Sequence, residues 1–346
     1  MTAVFALTVR GLESVCASEM ARCGLAVGEM GYRRVHAQAR GDLRPLLELS
    51  TADDLFVEVS RWSNIGHTRA ALEQLQSLAA QLPLRPALAI CTQLRPIDQR
   101  PTFSVTANFV GRRNYSSDEI KTALAAGIQA GHGWRYSADD GEAELNVRIF
   151  LEHTEALIGV RLAATPLHRR SYKQEQRPGS LKPTVAAALL ELLALRPGAT
   201  LLDPCCGAGT ILVEAARRGV LAQGGDNDAE AVTAAFSNAE NAGVAIAVER
   251  WDARCLPIPN ASVNCIASNL PWDRQVVIEG DETAFYAALC AEMERTLAPG
   301  GRIALLTNRP ALLCFERLAC QEQIEISLFG QRPTISVFVE TDRNTL

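Results

Sequence analysis

Leu201-Leu202-Asp203-Pro204-Cys205-Cys206-Gly207-Ala208-Gly209-Thr210 is an apolar run that ends in an acid, a proline and two spaced glycines. The apolar helical pattern GTILVEAARRG (209–219) follows at once. Glycines between a strand and a helix let a ligand approach the backbone beside a helix N-terminus. A lone Gly-x-Gly is a weak signal, so its neighbours decide the reading. Upstream, TVAAALLELLAL (184–195) reads as a helix. Downstream, LAQGGD (221–226) reads as a strand, DAEAVTAAFSNAENAG (228–243) as a helix and AVERWDA (247–253) as a strand. VNCIASNLPW (263–272) is a strand, ETAFYAALCAEMERTL (282–297) a helix and GRIALLT (301–307) a strand. Short apolar strands with helical crossovers predict a mostly parallel, Rossmann-like sheet covered on both faces. IEISLFG (324–330) and TISVFVE (334–340) predict two adjacent antiparallel strands.

The front half has another rhythm. VFALTV (4–9), GLESVCASEMARCG (11–24), AVGEMGYRRVHAQA (26–39), DLRPLLELSTA (42–52), DLFVEVSRW (54–62) and HTRAALEQLQSLAAQL (67–82) alternate strand and helix. The expected β-α-β-β-α-β order is ferredoxin-like. PLRP (83–86) reads as a hinge to a second small α+β unit. In that unit FSVTANFVG (103–111) reads as a strand, and SSDEIKTALAAGIQAG (116–131) as a helix capped by serine. ELNVRIFLEH (144–153) and EALIGVRLA (155–163) read as a hairpin. TPLHRRSYKQEQRPGSLKP (165–183) is basic and proline-punctuated, a predicted linker. The expected division is 1–80, 81–165, linker 166–183 and 184–346.

Composition sets the limits. In 346 residues, 48% are apolar and 21% charged, ordinary for a globular chain. No apolar run approaches the length that spans a bilayer, and the opening residues lack a signal-peptide pattern. A cytoplasmic protein without membrane contact is the expectation. Ten scattered cysteines without a Cys-x-x-Cys pair argue against a zinc site or a disulfide framework, so no metal is expected. Net charge is −5, unevenly spread. Residues 1–182 carry 22 Lys+Arg against 19 Asp+Glu, and residues 183–346 carry 12 against 20. If the chain holds a polyanion, the front half is where it would sit.

In the back half, four candidate features follow one another at strand ends. Asp203 precedes the glycines. Asp226 ends the next strand, 23 positions on, about where an acid meets the ribose hydroxyls of a bound nucleoside. Asp252 follows the third strand and can accept from an adenine amino group. Asn269-Leu270-Pro271-Trp272 follows the fourth. Each has a plainer reading: Asp203 as a brace of the glycine turn, Asp226 as a helix cap, Asp252 as a surface acid, Asn269–Trp272 as a turn. Cys205 and Cys206 read as small side chains in a tight loop.

This pattern resembles the class I methyltransferases. Asp203–Thr210 resembles their first motif, and Asn269–Trp272 the Asn-Pro-Pro-Tyr type motif of amino-group methylases. The third glycine of a nicotinamide-binding loop is missing after Gly209. The resemblance implies S-adenosylmethionine as cofactor, held by Asp203, Pro204, Gly207, Ala208, Gly209, Thr210, Asp226, Asn227, Asp252, Ala253 and Asn269, with Ser180 and Leu181. Asn269 Oδ1 and the Pro271 carbonyl would accept the N–H groups of a target amine, and Trp272 would stack on the extruded base. Asp273 stands where related motifs often carry glycine. It would meet the base edge, take up the released proton through water, or pair with Arg274.

Segments 102–118 and 144–160 resemble the THUMP domain of tRNA-modifying enzymes, and 177–184 resembles the stretch that opens the catalytic domain in THUMP methyltransferases of the tRNA guanine-N2 type. The family implies one methyl group transferred to guanine N2 of tRNA, gripped at its acceptor region, by a protein expected to be monomeric. Arg112, Arg113, Tyr115, Arg169, Arg170 and Lys173 would contact RNA backbone. Methylation of rRNA or of another amine such as adenine N6, and an inactive RNA-binding protein, stay open as alternatives. A nicotinamide oxidoreductase is a more distant one.

Overall fold

The structure, a computed structural model, describes residues 1–271, 280–328 and 330–340. The chain divides into two compact units. One is Met1–Leu7, Met20–Leu49 and Asp53–Leu167; the other is Thr8–Glu19, Ser50–Ala52 and His168–Leu346.

In chain order the first half supplies β1 (Thr2–Leu7), α1 (Glu13–Arg22), β2 (Ala26–Gly31), β3 (Arg34–Ala39) and β4 (Asp54–Trp62). It continues with α2 (Ala70–Ala80), α3 (Leu84–Leu94), β5 (Thr102–Val110) and α4 (Ser117–His132). β6 (Arg135–Tyr136), β7 (Leu145–Glu152) and β8 (Glu155–Arg161) complete it. The sheet of the first unit runs β2-β3-β1-β4-β8-β7-β5-β6. Its first four strands have the ferredoxin-like order. The second expected helix there is only a 3-10 turn, Arg44–Glu48. It stops because the N–H groups of Ser50 and Thr51 bond the Glu19 carboxylate instead of a preceding turn.

The predicted hinge at 83–86 is instead the start of a helix. Pro83 caps α3 and Pro86 lies in its first turn, where a missing N–H costs no helical bond. α2 packs on α4: a Cβ at Gly127 would lie 2.2 Å from the Gln76 carbonyl oxygen, and one at Gly131 would lie 2.0 Å from that of Ala80. β4 pairs with β8, so one sheet runs through both expected front modules. α4 opens with a capping box between Ser116 and Glu119.

The second unit holds α5 (Pro183–Leu192), β9 (Thr200–Asp203), α6 (Thr210–Ala216), β10 (Leu221–Asp226), α7 (Ala229–Ala242) and β11 (Ala247–Arg250). β12 (Val263–Asn269), α8 (Glu282–Thr296), β13 (Leu297–Thr307), β14 (Leu318–Glu325) and β15 (Thr334–Glu340) follow. The sheet order is β11-β10-β9-β12-β13-β15-β14. Only β15 runs antiparallel to its neighbours. The seven-stranded, mostly parallel Rossmann-like sheet is therefore present; its last two strands pair antiparallel, but β14 lies at Leu318–Glu325, ahead of the expected 324–330. Strand order reverses between β9 and β12, the switch point where such sheets bind ligands. Apolar side chains alternate between its faces: Leu201, Ala304 and Leu306 join one core, Leu202, Ile303 and Leu305 the other. The first core also takes Val9, Leu12 and Val15. The Ser327 N–H donates to the Arg10 carbonyl at 3.0 Å. Gly11 has φ +96°, and a Cβ there would lie 2.2 Å from the Glu325 carbonyl oxygen.

Candidate active site

The turn after β9 needs its glycines for shape. Gly207 and Gly209 have φ of +49° and +73°. The two glycines of β10 answer to packing. A Cβ on Gly224 would sit 2.6 Å from the Asp203 carbonyl oxygen, and one on Gly225 would sit 2.5 Å from the Trp251 ring. Trp251 in turn donates from Nε1 to the Pro204 carbonyl at 3.0 Å, bracing the turn from below.

Asp203, Asp226 and Asn269 end β9, β10 and β12, and Asp252 lies just past β11. Asp203 is fully buried, and its Oδ1 accepts from Ser268 Oγ (2.7 Å) and the Cys205 N–H (3.2 Å). It does brace the turn. Burial pushes its carboxyl up to about 7, with the Asp226 charge adding to the rise and the two hydrogen bonds opposing it. Asp226 accepts from the Gly207 N–H (2.9 Å) and the Asp228 N–H (3.1 Å). It is not the cap of α7, since Asp228 holds that place and accepts from the Glu230 N–H. Asp252 is half exposed and gripped by Arg254 at 2.7–3.1 Å, which holds it below the usual carboxylate range. Burial and the nearby acids push the thiols of Cys205 and Cys206 well up, so neither is a thiolate nucleophile.

These groups line one cavity of about 290 Å³. Every residue expected to hold the cofactor borders it except Gly209, which makes the turn into α6 instead. Pro271 borders it too. So do Arg177 and Gly179, of the 177–184 stretch, and Arg254 and Phe285, which the sequence reading did not single out.

Asn269 Nδ2 donates to the Gly179 carbonyl at 3.2 Å. A carbonyl can only accept, so the amide orientation is set, with Oδ1 turned the other way. That oxygen is buried and has no hydrogen-bond partner among the described residues. The Pro271 carbonyl accepts from the Tyr286 hydroxyl at 2.8 Å. Trp272 and Asp273 lie outside the described residues.

The predicted linker is a strap tied to this site. Buried Asn238, on α7, accepts from the N–H groups of Gln174 and Glu175 and donates to the carbonyls of Glu175 and Ala208. Arg177 pairs with Asp228, and with Glu230 at 2.9 Å. Lys173 donates to the Leu181 carbonyl, and burial pushes its amine down to about 8. Arg170 bonds Glu214 (3.1 Å) and the Ser50 carbonyl (2.9 Å). Arg170 and Lys173 thus brace the strap and are corrected from RNA contacts to interior ties. Tyr115 is corrected likewise: it is 4% exposed, and its hydroxyl bonds the Gly66 carbonyl and Arg113. Arg113 also donates to the His153 carbonyl. Arg112 and Arg169 are exposed.

Among the described residues, no group of His, Cys, Asp and Glu side chains could hold a metal, and no helix is long and apolar enough to cross a membrane.

Comparison with known proteins bears on the same residues. A family model described as UPF0020, RMKL-like, methyltransferase domain matches residues 170–329. The chain is 35% identical over 216 residues to tRNA (guanine(6)-N2)-methyltransferase of Thermus thermophilus, covering 61% of this chain and 64% of that protein. It is 30% identical over 213 residues to U6 snRNA (guanine-N(2))-methyltransferase THUMPD2 of Bos taurus, covering 60% of this chain and 41% of that one. The chain therefore spans just under two thirds and about two fifths of the length of these curated relatives. The crystal structure of TrmN from Thermus thermophilus superposes with a TM-score of 0.81 at 28% identity, over 99% of this chain and 100% of that one. Motif, strand order and relatives thus agree on a methyltransferase domain over residues 170–329 and on a whole-chain fold similar to that of TrmN from Thermus thermophilus.

Proposed function

We propose that this chain transfers a methyl group from S-adenosylmethionine to the exocyclic N2 of a guanosine in tRNA. The observation that carries the reading is Asn269 Oδ1, a buried acceptor without a partner among the described residues, on a residue that lines the glycine-loop cavity. A buried polar atom left unpaired costs about 1–3 kcal/mol, so such an atom in a cleft fits a donor on a ligand. S-adenosylmethionine supplies an electrophilic methyl group on its sulfonium. The Gly207 turn, Asp226 and the half-exposed Asp252 offer the backbone approach and the acceptors that its nucleoside part requires.

An exocyclic base amine is a poor nucleophile because its lone pair is delocalised into the ring. Asn269 Oδ1 accepts one amine N–H, and the Pro271 carbonyl accepts the other. Two acceptors favour a pyramidal nitrogen and hold its lone pair in line with the methyl carbon. The rate gain comes mainly from that orientation. In the first unit, exposed Arg112 is a candidate contact to the RNA backbone, with Arg169 of the second unit as another. The named activities of the relatives on guanine N2 support the base, and tRNA is the substrate of the relative at 35% identity.

The test is incubation with labelled S-adenosylmethionine and unmodified tRNA, followed by digestion to nucleosides. Labelled N2-methylguanosine is the expected product. Label in U6 snRNA or rRNA but not in tRNA would move the substrate to another RNA, as the relative named for U6 snRNA allows. Label in N6-methyladenosine would change the base. Failure to bind S-adenosylmethionine would leave only an RNA-binding role.

A further inference from the structure

The Pro271 carbonyl stands at the end of a hydrogen-bond chain that starts beyond β13. Tyr286, on α8, is fully buried. Its hydroxyl is 2.8 Å from the Pro271 carbonyl oxygen and 2.7 Å from Thr307 Oγ1. Thr307 Oγ1 is in turn 3.0 Å from the Arg309 backbone nitrogen. The two ends fix the direction of every proton between them. A backbone N–H can only donate and a backbone carbonyl can only accept. Arg309 N–H therefore donates to Thr307, Thr307 to Tyr286, and Tyr286 to Pro271. Burial pushes the Tyr286 hydroxyl up to about 12, so the proton it needs stays in place at neutral pH.

A carbonyl oxygen has two lone pairs. With one filled by Tyr286, the other has a set direction. We infer that Tyr286, aligned by Thr307, is a positioning residue that aims the free lone pair of the Pro271 carbonyl at the amine being methylated. The inference rests on the proposed transfer to a base amine. It assigns a task to a side chain on α8, outside the strand-end motifs. Tyr286 touches no reactant. It acts by keeping the Pro271 carbonyl in one orientation, with its own hydroxyl aligned by Thr307 at the end of β13.

Tyr286→Phe keeps the ring in its core and removes only the hydroxyl. Thr307→Val removes the donor behind it at nearly constant volume, and Thr307→Ser restores that donor. Single-turnover methyl transfer to tRNA, KM for tRNA, affinity for S-adenosylhomocysteine and the unfolding midpoint should be measured for each. The expected result is a loss of about 10–100-fold in the transfer rate for Tyr286→Phe and Thr307→Val, the scale of a small misplacement of reacting groups. KM and product affinity should stay near wild type, and Thr307→Ser should transfer close to the wild-type rate. An unchanged rate in Tyr286→Phe overturns the inference. So does a loss of rate accompanied by a raised KM and a lower affinity that Thr307→Ser shares, since that marks packing alone. If the wild type labels no base amine, the transfer reading falls and this inference with it. If the wild type labels guanosine and Tyr286→Phe matches it, only this inference falls.

Discussion

Asn269 is oriented by the peptide across from it. Its NH₂ group donates to the Gly179 carbonyl, which leaves its buried oxygen without a hydrogen-bond partner among the described residues. Asn269→Ala should lower methyl transfer by about 10²–10³-fold, the scale of one lost preorganised contact. Binding of S-adenosylhomocysteine, followed by calorimetry, should stay nearly intact; equal loss of both would remove Asn269 from the amine. Asp203 gives a test by pH. Its carboxyl is held up at about 7 when folded, above the ordinary 3.8. The folded protein thus keeps a proton that the unfolded chain releases. The stability tied to that proton is full below the ordinary value and is lost as pH rises through about 7. Asp203→Asn keeps the oxygen that accepts from Ser268 and Cys205 but cannot ionise. The fall in urea midpoint between about pH 5 and pH 8 should shrink in the variant, and an unaltered slope would show an ionised Asp203 in the folded protein. Asn269 and Asp226 were legible in the sequence because each ends a strand before a helix or turn. Asn238 and Tyr286 were not, because their partners lie tens of residues away and no local pattern marks the pair. Arg170 and Lys173 looked like surface charge for the same reason: Glu214 and the Leu181 carbonyl are invisible as partners in one dimension.

At the scale of elements, periodicity located the strands and helices of the second unit, where each apolar run is bounded by turn residues. It failed at α3. Two prolines read as a hinge, although proline in a first turn is compatible with a helix. It also treated 166–183 as a linker, since a strap held by side-chain bonds has no repeat to detect. Gly127 and Gly131 lie inside the expected helix, where glycine is a poor helix former. They are where α2 comes close enough for backbone contact. Gly131→Ala has a better helix former, by about 1 kcal/mol. Its new Cβ would nevertheless meet the Ala80 carbonyl oxygen, which is backbone and cannot rotate away. The expected outcome is a net loss of about 1–3 kcal/mol in chemical denaturation. A gain in stability would mean that α2 and α4 part easily.

For the molecule as a whole, the sequence places the start of the catalytic half near residue 184, where strand–helix alternation becomes regular. The physical unit begins earlier and in pieces. Thr8–Glu19 and Ser50–Ala52 belong to it, with Leu12 fully buried among Val185, Leu189 and Ile326 in one core. Complementarity between an early segment and a late one has no signature in either. Leu12→Ala should cost about 2–5 kcal/mol in the unfolding of the second unit. A fragment of residues 168–346 alone should lose cooperative thermal unfolding; a sharp transition near that of the full chain would show that the early segment is dispensable. The bond from Ser327 to the Arg10 carbonyl sets a timetable as well. At about 5–20 residues per second, a ribosome makes Arg10 roughly 15–60 seconds before Ser327. Through that interval Val9, Leu12 and Val15 are exposed on the nascent chain with their partners not yet synthesised. The second unit is thus the last part of the protein to close, and the stretch between Thr8 and Glu19 is where a chaperone would find the longest-lived greasy target.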